Sequence, residues 1–587
     1  MTITLDQLNT QPLEQLLPRL LGLYEHSDWI VQSTLASRPF RSIEAFKFEM
    51  VRNLDRAGPQ AWLKLIKAHP ELTGKVAVQK TLTSESQSEQ QKAGLANCTP
   101  EEYEDLHRLN QAYQDKFDFP FILAVRGPRG LGLTRQEIIK TMDRRLKNTR
   151  DFEIKEALQQ IHRIVELRLH EKTGHTSPEG DLIWDWQEQL AQFSEAQSLT
   201  PGQLTVTYLS PAHKQCAQFI EQLMRDSGFD EVTQDAVGNV VGRYHGREPT
   251  ASYLMTGSHF DTVRNGGKYD GRLGIYVPIA CVQKLAQAHQ RLPIGLEVVA
   301  FAEEEGQRYK ATFLGSGALV GQFNPDWLTQ TDANGISMRE AMKKAGLNEN
   351  EIPNIQRKPA DFVGFVEVHI EQGPVLNELN LPLGVVSSIN GSVRYLCEMV
   401  GMASHAGTTP MDRRRDAVCA VAELALYMEK RAAADGDSVA TIGQLQVPNG
   451  SINVVPGKCT FSMDMRAPLD PQRDALEKDV LNALDEICNR RGLVCHREAT
   501  LRAPAAPSAP EWQQRWEKAL KDMGVPRFVM PSGAGHDAMK LHEVMPQAML
   551  FVRGENSGIS HNPLESSTTD DMQLCIDAFE HVLHQLA

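Results

Sequence analysis

The sequence predicts a multidomain protein: an all-α N-terminal domain, then an α/β domain interrupted by an inserted α+β domain. Three observations carry this. The chain has 587 residues, too many for one hydrophobic core when domains usually hold about 100–200. Apolar residues recur at helical spacing through positions 1–170. Beyond them, short apolar runs alternate with helical stretches, and the texture changes again between 388 and 502.

In chain order, LEQLLPRLLGLY opens the helical region, and FEIKEALQQIHRIVELRL places Ile154, Leu158, Ile161 and Val165 on one stripe. GPRGLGL and HPELTGK separate helices. A helical domain is expected over 1–170. The polar, Gly- and Pro-bearing segment EKTGHTSPEGDL, 171–182, reads as a linker. SYLM, GLEVVAFA, FVEVHI and AMLFV then read as strands of a helix-covered sheet over 183–387 and 503–587. Between them, over 388–502, the strand-like VRYLCEMVG and CTFSMDMRA accompany two helical pieces, which predicts the inserted domain.

Composition narrows the function. With 61 Lys+Arg against 75 Asp+Glu the formal charge is -14, which repels a phosphate backbone and argues against nucleic acid. The nine cysteines include no CxxC pair, so neither a disulfide framework nor a cysteine zinc site is expected. MTITLDQLNTQPLEQLL lacks the basic and apolar regions of a signal peptide, and no apolar run reaches the about 18 residues that span a bilayer. A cytoplasmic protein that binds no membrane is the expectation.

Chemistry-bearing residues gather at the carboxyl ends of the predicted strands, where α/β sheets hold their ligands. GSHFDTVRNGGKYDG carries His259, Asp261 and Asp270; AFAEEEGQR carries Glu303, Glu304 and Glu305; VEVHIEQG carries His369 and Glu371; GISHNPLE carries His561. Histidine and carboxylate without cysteine suit Zn, Mn or Fe rather than a structural zinc knot, and a carboxylate can bridge two ions. In adjacent glutamates, one can ligate while its neighbour acts as general base. Each motif alone is as well explained by structure; together, in this order, they point to a two-metal hydrolase of amide-like C–N bonds.

HFDTV, YDG, EEEG, HIEQG, SHAGTTPM, INVVPG and SGAGHDA with GISHNP resemble the M20 amidohydrolases, in the branch of allantoate amidohydrolase, N-carbamoyl-L-amino-acid hydrolase and β-ureidopropionase. The resemblance runs from Ile183 to the end of the chain. It implies a zinc-peptidase-like catalytic domain with an inserted lid that dimerises, and so a homodimer. It also implies two divalent ions: one held by His259, the other by His561, with Asp270 bridging and Glu305 and His369 completing the two sets. Glu304 would be the base, and Asp261 would orient His259. On the substrate side it implies His405, Asn453 and Arg466 of the lid, reaching the partner's site, with Gln372 and His536 as further contacts. One departure is GMASHAG, where GESNHAG would be expected; it touches the loop and leaves the histidine.

SRPFRS, AHPELTGK, SEQQKAGL, FDFPFILAV and DRRLKN resemble the OHCU decarboxylases, over residues 5–170. That implies His69 as the acid/base residue, with Pro70, Glu89, Gln90 and the backbone of FILAV on the substrate, and no cofactor. Together the resemblances suggest a bifunctional enzyme of urate breakdown. The alternative is a carbamoyl amino acid hydrolase with a non-catalytic helical module.

Overall fold

The computed structural model describes residues 2–72, 99–195 and 203–586. Glu89 and Gln90 lie outside them. The N-terminal domain is built of α1 (Leu5–Thr10), α2 (Leu13–Leu20), α3 (Trp29–Leu35), α4 (Ile43–Ala68), α5 (Pro100–Phe117), α6 (Arg135–Arg145) and α7 (Arg150–Thr173). Ser42, Thr99, Thr134 and Thr149 start α4 to α7 by accepting the amide hydrogen three residues on, which satisfies donors that a helix start leaves unpaired. Gly58 (φ 78°) and Pro59 kink α4. Leu16, Leu20, Phe46, Tyr113, Phe117 and Ile161 share the core.

Helix α7 departs from a simple amphipathic reading. Leu158, Ile161 and Val165 face the helical core, but Glu153, Glu156, His162, Arg163, Glu166, Arg168 and His170 are buried as well. A second layer of protein covers its polar face. The expected linker is correspondingly short. Helix α7 continues to Thr173, Gly174 closes it in the left-handed conformation (φ 73°), and α8 (Pro178–Leu190) follows with proline in its first turn. The polar residues that suggested a solvated tether have protein partners instead: Ser177 Oγ donates to Asp570 Oδ1 at 2.6 Å.

The α/β domain continues with α9 (Pro211–Asp226), β1 (Glu231–Gln234), β2 (Val240–Tyr244), β3 (Tyr253–His259), α10 (Leu273–Gln287), β4 (Gly295–Phe301), α11 (Leu314–Leu319), α12 (Met338–Ala345), β5 (Phe362–Ile370), α13 (Val375–Glu378) and β6 (Leu383–Ile389). The inserted domain holds β7 (Gly391–Val400), β8 (Ser404–His405), α14 (Ala417–Ala433), β9 (Val439–Thr441), β10 (Leu445–Gln446), β11 (Val454–Val455), β12 (Lys458–Ala467), α15 (Asp470–Arg491) and β13 (Val494–Ala503). The chain returns through β14 (Ala506–Pro507), α16 (Pro510–Met523), β15 (Val529–Ser532), α17 (Ala538–Leu541), β16 (Gln547–Val552) and α18 (Thr569–His584).

The main sheet runs β1-β2-β4-β3-β5-β16-β6-β14, with β15 beside β6. Strands β4, β3, β5 and β16 are mutually parallel, so their carboxyl ends open on one edge. These strands are buried along most of their length, as continuous apolar runs require when helices cover both faces. The inserted domain is an antiparallel sheet, β10-β12-β7-β13 with β9 on β12, and α14 and α15 supply apolar residues to its own core. The β8–β11 ribbon projects from it. No helix among the described residues is long and apolar enough to cross a membrane.

Candidate functional site

The parallel strands converge their ends on Asp270. His259 closes β3, His369 lies one residue before the end of β5, Glu304 and Glu305 follow β4, and His561 sits in the loop after β16. Asp270 follows β3 on the loop ahead of α10. Its Oδ1 lies 3.5 Å from His259 Nε2 and 3.2 Å from His369 Nε2; its Oδ2 lies 3.1 Å from His561 Nε2. Glu305 Oε1 is 3.7 Å from the same His561 nitrogen. Two groups that could hold a metal ion, His259–Asp270–His369 and Asp270–Glu305–His561, share Asp270 through different oxygens, and Glu304 lies with His259 and Glu305 in a third.

The ring tautomers are set from behind. His369 Nδ1 donates to the Ile370 carbonyl (2.8 Å) and His259 Nδ1 to the Asp261 carbonyl (3.1 Å), since a carbonyl only accepts. In the neutral rings, Nε2 then meets the Asp270 carboxylate lone pair to lone pair. Among the described residues, Asp270 Oδ1 is buried without a hydrogen-bond partner. A cation between these atoms resolves the conflict, so the donor set fits a divalent metal. Without one, extra protons do the same: burial works against a charged ring, but hydrogen bonds with Asp261 and Asp270 hold His259 well above its ordinary value. Burial likewise opposes the Asp270 charge, and its three histidine partners nonetheless keep it well below the carboxylate range.

Around this pair the site is crowded with acid. Burial, with Glu305, Asp537 and Asp261 nearby, raises Glu304 well above its usual value. Burial and Asp270 push Glu305 up to about 7. Among the described residues, both carboxylate oxygens of Glu303 and of Asp537 are buried without a hydrogen-bond partner. Such an excess of negative charge is a further fit to bound dications.

Other residues hold these candidate ligands in place. Asp261 orients more than His259: its carboxylate accepts the amides of Glu304 (3.1 Å) and Glu305 (3.2 Å), fixing the glutamate loop. Glu565 accepts the amides of Tyr269 (2.7 Å) and Asp270 (2.9 Å) and the Ser560 hydroxyl (2.7 Å), joining the Asp270 and His561 loops. Glu367 accepts from Ser258 and the Ala538 amide. The motif reading missed Glu565 and Glu367, although each stands within four residues of a named histidine, and Glu367 shares its strand face with His369. Glu371, by contrast, turns away and caps the amides of Val375 and Leu376.

The expected substrate residues divide. Gln372 is in the site, donating to Asp270 Oδ2 at 2.9 Å. His536 is 2% exposed, bonded to Ser532 Oγ (2.8 Å) and edge-on to His369 at 4.4 Å. This burial sets it as a wall behind His369. Arg466 grips Asp464 with two nitrogens and donates to the Gly533 carbonyl, tying the inserted domain to the α/β domain. His405 and Asn453 are exposed on the β8–β11 ribbon, where the Ala406 amide donates to the Asn453 carbonyl at 2.8 Å.

In the helical domain His69 ends α4. Its Nδ1 donates to the Leu65 carbonyl (3.0 Å), leaving Nε2 as the acceptor. Burial drops the imidazole to about 4. Pro70 follows half-buried, and the FILAV stretch is fixed by Gln160 on the Ala124 amide and Arg145 on the Ile122 carbonyl. Arg168 of α7, which motif reading passed over, places a buried guanidinium in the electrostatic surroundings of His69, with Glu25 beside it.

Comparison with known proteins follows the same division. Residues 9–170 match the OHCU decarboxylase model and residues 255–585 the model of peptidase family M20/M25/M40. An N-carbamoyl-L-amino acid amidohydrolase of Geobacillus stearothermophilus is 36% identical over 409 residues, 70% of this chain and 99% of the relative. An allantoate deiminase of Arabidopsis thaliana is 36% identical over 417 residues, 65% of this chain and 78% of that protein. A crystal structure of a hydantoinase/carbamoylase family amidase from Burkholderia ambifaria superposes with a TM-score of 0.64 at 30% identity, covering 70% of this chain and 97% of the other. The chain belongs to peptidase family M20/M25/M40, among its amidohydrolases, and carries an OHCU decarboxylase domain fused ahead of that part.

Proposed function

We propose that the protein is a bifunctional enzyme of urate breakdown. Its helical domain decarboxylates 2-oxo-4-hydroxy-4-carboxy-5-ureidoimidazoline to S-allantoin. Its α/β domain hydrolyses allantoate to ureidoglycine or ureidoglycolate with ammonia and CO2. The observation that carries the hydrolytic reading is Asp270, whose two oxygens face two different histidine sets.

His259, Asp270 and His369 would hold one ion, and Asp270, Glu305 and His561 the other. Zn2+ or Mn2+, when bound, supplies the charge that polarises a carbonyl and acidifies water. Glu304, grouped with His259 and Glu305 and not with Asp270, takes the proton from the attacking water and returns it to the departing nitrogen, so the C–N bond breaks with charge balanced. Gln372 orients the substrate beside Asp270. Arg466 suits a substrate carboxylate, which would replace Asp464 in its bidentate grip. His405 and Asn453, exposed on the ribbon, would complete the partner's site in a homodimer formed through the inserted domain. In the helical domain the C–C bond to the carboxylate breaks, the electron pair enters the substrate's ring system, and His69 handles the proton with Pro70 beside it; no cofactor takes part. Glu89 and Gln90 are proposed as further contacts from sequence alone. The cell compartment proposed is the cytoplasm.

The fused decarboxylase domain favours allantoate, because both steps belong to one route; N-carbamoyl-L-amino acids are the second reading, favoured by the Geobacillus relative. Steady-state assays of metal-reconstituted protein on both substrates decide it. Turnover of allantoate, lost in Glu304→Ala while metal content stays at two ions per chain, is expected. Turnover of carbamoyl amino acids alone would overturn the substrate choice.

A further inference from the structure

The loop that carries His561 is held from outside its own domain. Between β16 and α18 it places three non-glycine residues in the left-handed region: Asn556 (φ 54°), Ser557 (φ 62°) and His561 (φ 53°). That conformation is unfavourable for L-residues and persists only where surroundings enforce it. Part of the enforcement is internal: the Glu555 amide donates to the Ser566 carbonyl and Asn556 Nδ2 to the Leu564 carbonyl, both at 2.8 Å. The rest comes from the helical domain. Arg144 of α6 donates to Asn556 Oδ1 at 2.9 Å. The Pro128 carbonyl accepts the Thr569 amide at 3.3 Å, and Arg163 pairs with Asp570, so the far end of the loop is fixed by the same domain.

Helix α7 also holds α13, the short helix that follows the loop carrying Gln372. Gln159 Nε2 donates to the Asn377 carbonyl at 2.6 Å, and Lys155 lies 3.2 Å from Glu378. The two loops are in contact: a Cβ at Gly558 would lie 1.6 Å from the Gly373 carbonyl oxygen. Gln372 and His561 then meet at Asp270, with Gln372 Nε2 3.4 Å from His561 Nε2.

We infer that the helical domain is a structural part of the hydrolytic site, with Arg144 and Gln159 as positioning residues that hold the His561 and Gln372 loops against Asp270. The inference rests on the proposed metal reading. Neither residue touches the metal ligands; Arg144 acts through Asn556 and Gln159 through the α13 backbone.

The test uses the full chain with Arg144→Ala and Gln159→Ala, singly and together, and Arg144→Lys as the conservative variant. Metal retention against a graded chelator and hydrogen exchange of residues 555–566 are read, with decarboxylation as the control for an intact helical domain. The double variant is expected to weaken one of two ions by on the order of 10-fold to 100-fold, the range for outer positioning groups. The other ion stays, exchange quickens in the loop, decarboxylation is unchanged, and Arg144→Lys recovers part of the loss. Wild-type exchange and retention in the double variant would overturn the inference. His561→Ala separates the two readings. If it costs no ion, the metal assignment fails and the proposal with it; if it costs one and the double variant none, only the positioning role fails.

Discussion

At the scale of single residues, the site is set by what backs each ligand. Gly271 (φ 69°) follows Asp270, and a Cβ there would lie 2.4 Å from the His259 carbonyl oxygen and 2.6 Å from its ring. On the proposed two-ion reading, Gly271→Ala is therefore expected to displace His259 and lower metal content from two ions toward one, as measured by elemental analysis, while the proposed decarboxylation persists. His69 gives a pH prediction with a definite sign. Its folded value of about 4 lies below the ordinary 6.5. Between those values the unfolded chain binds a proton that the folded chain does not, so stability falls as pH drops from 6.5 toward 4 and is unaffected above 6.5. Denaturant unfolding of His69→Gln and wild type at pH 7.5 and 4.5 should differ in their pH loss by about 2–3 kcal/mol, with wild type losing more.

At the scale of elements, the parallel strands deliver ligands to one edge, and loops must then be tied to each other. Glu565 is that tie, buried and accepting from two amides ahead of α10 and from Ser560. Glu565→Ala leaves both amides buried and unpaired, which costs about 1–3 kcal/mol for each such group. The expected readouts are a lowered midpoint in urea and, on the proposed two-ion reading, weaker retention of both ions, since Asp270 belongs to both groups. His259, Asp270, His369 and His561 were legible as a set because each ends or follows an apolar run. Glu565 and Glu367 were not, because a carboxylate that accepts backbone amides carries no sequence signature apart from a solvated one.

At the scale of the whole molecule, the helical and α/β domains share a buried charged seam. Lys47 lies 2.6 Å from Glu44 and 2.5 Å from Glu166, Glu166 is 2.7 Å from Arg163, and Arg163 pairs with Asp570 of α18. Removing one partner of a buried pair costs about 3–5 kcal/mol, so Arg163→Ala should lower unfolding stability by that order. Burial opposes the charges of Asp570 and Glu166, yet Arg163 holds the first below the usual carboxylate range, and Lys47 with Arg163 holds the second well below it. Their contribution is present above the ordinary carboxylate value of about 4 and is lost as pH falls through their folded values. Acid titration of wild type should show this loss, and Arg163→Ala should show less of it.

The sequence by itself determined the order of domains and the apolar runs whose ends carry the candidate ligands, because periodicity is local. It misread 171–182 as a tether and left the polar face of α7 without a partner, since charge that pairs with charge across a domain seam has the composition of a solvated surface. Only the tertiary structure decided that Asp270 divides its oxygens between two histidine groups, that His536 is buried behind His369, and that Arg144 and Gln159 press on the loops of another domain. Those facts depend on distances between residues remote in sequence, which close packing sets and local pattern does not contain.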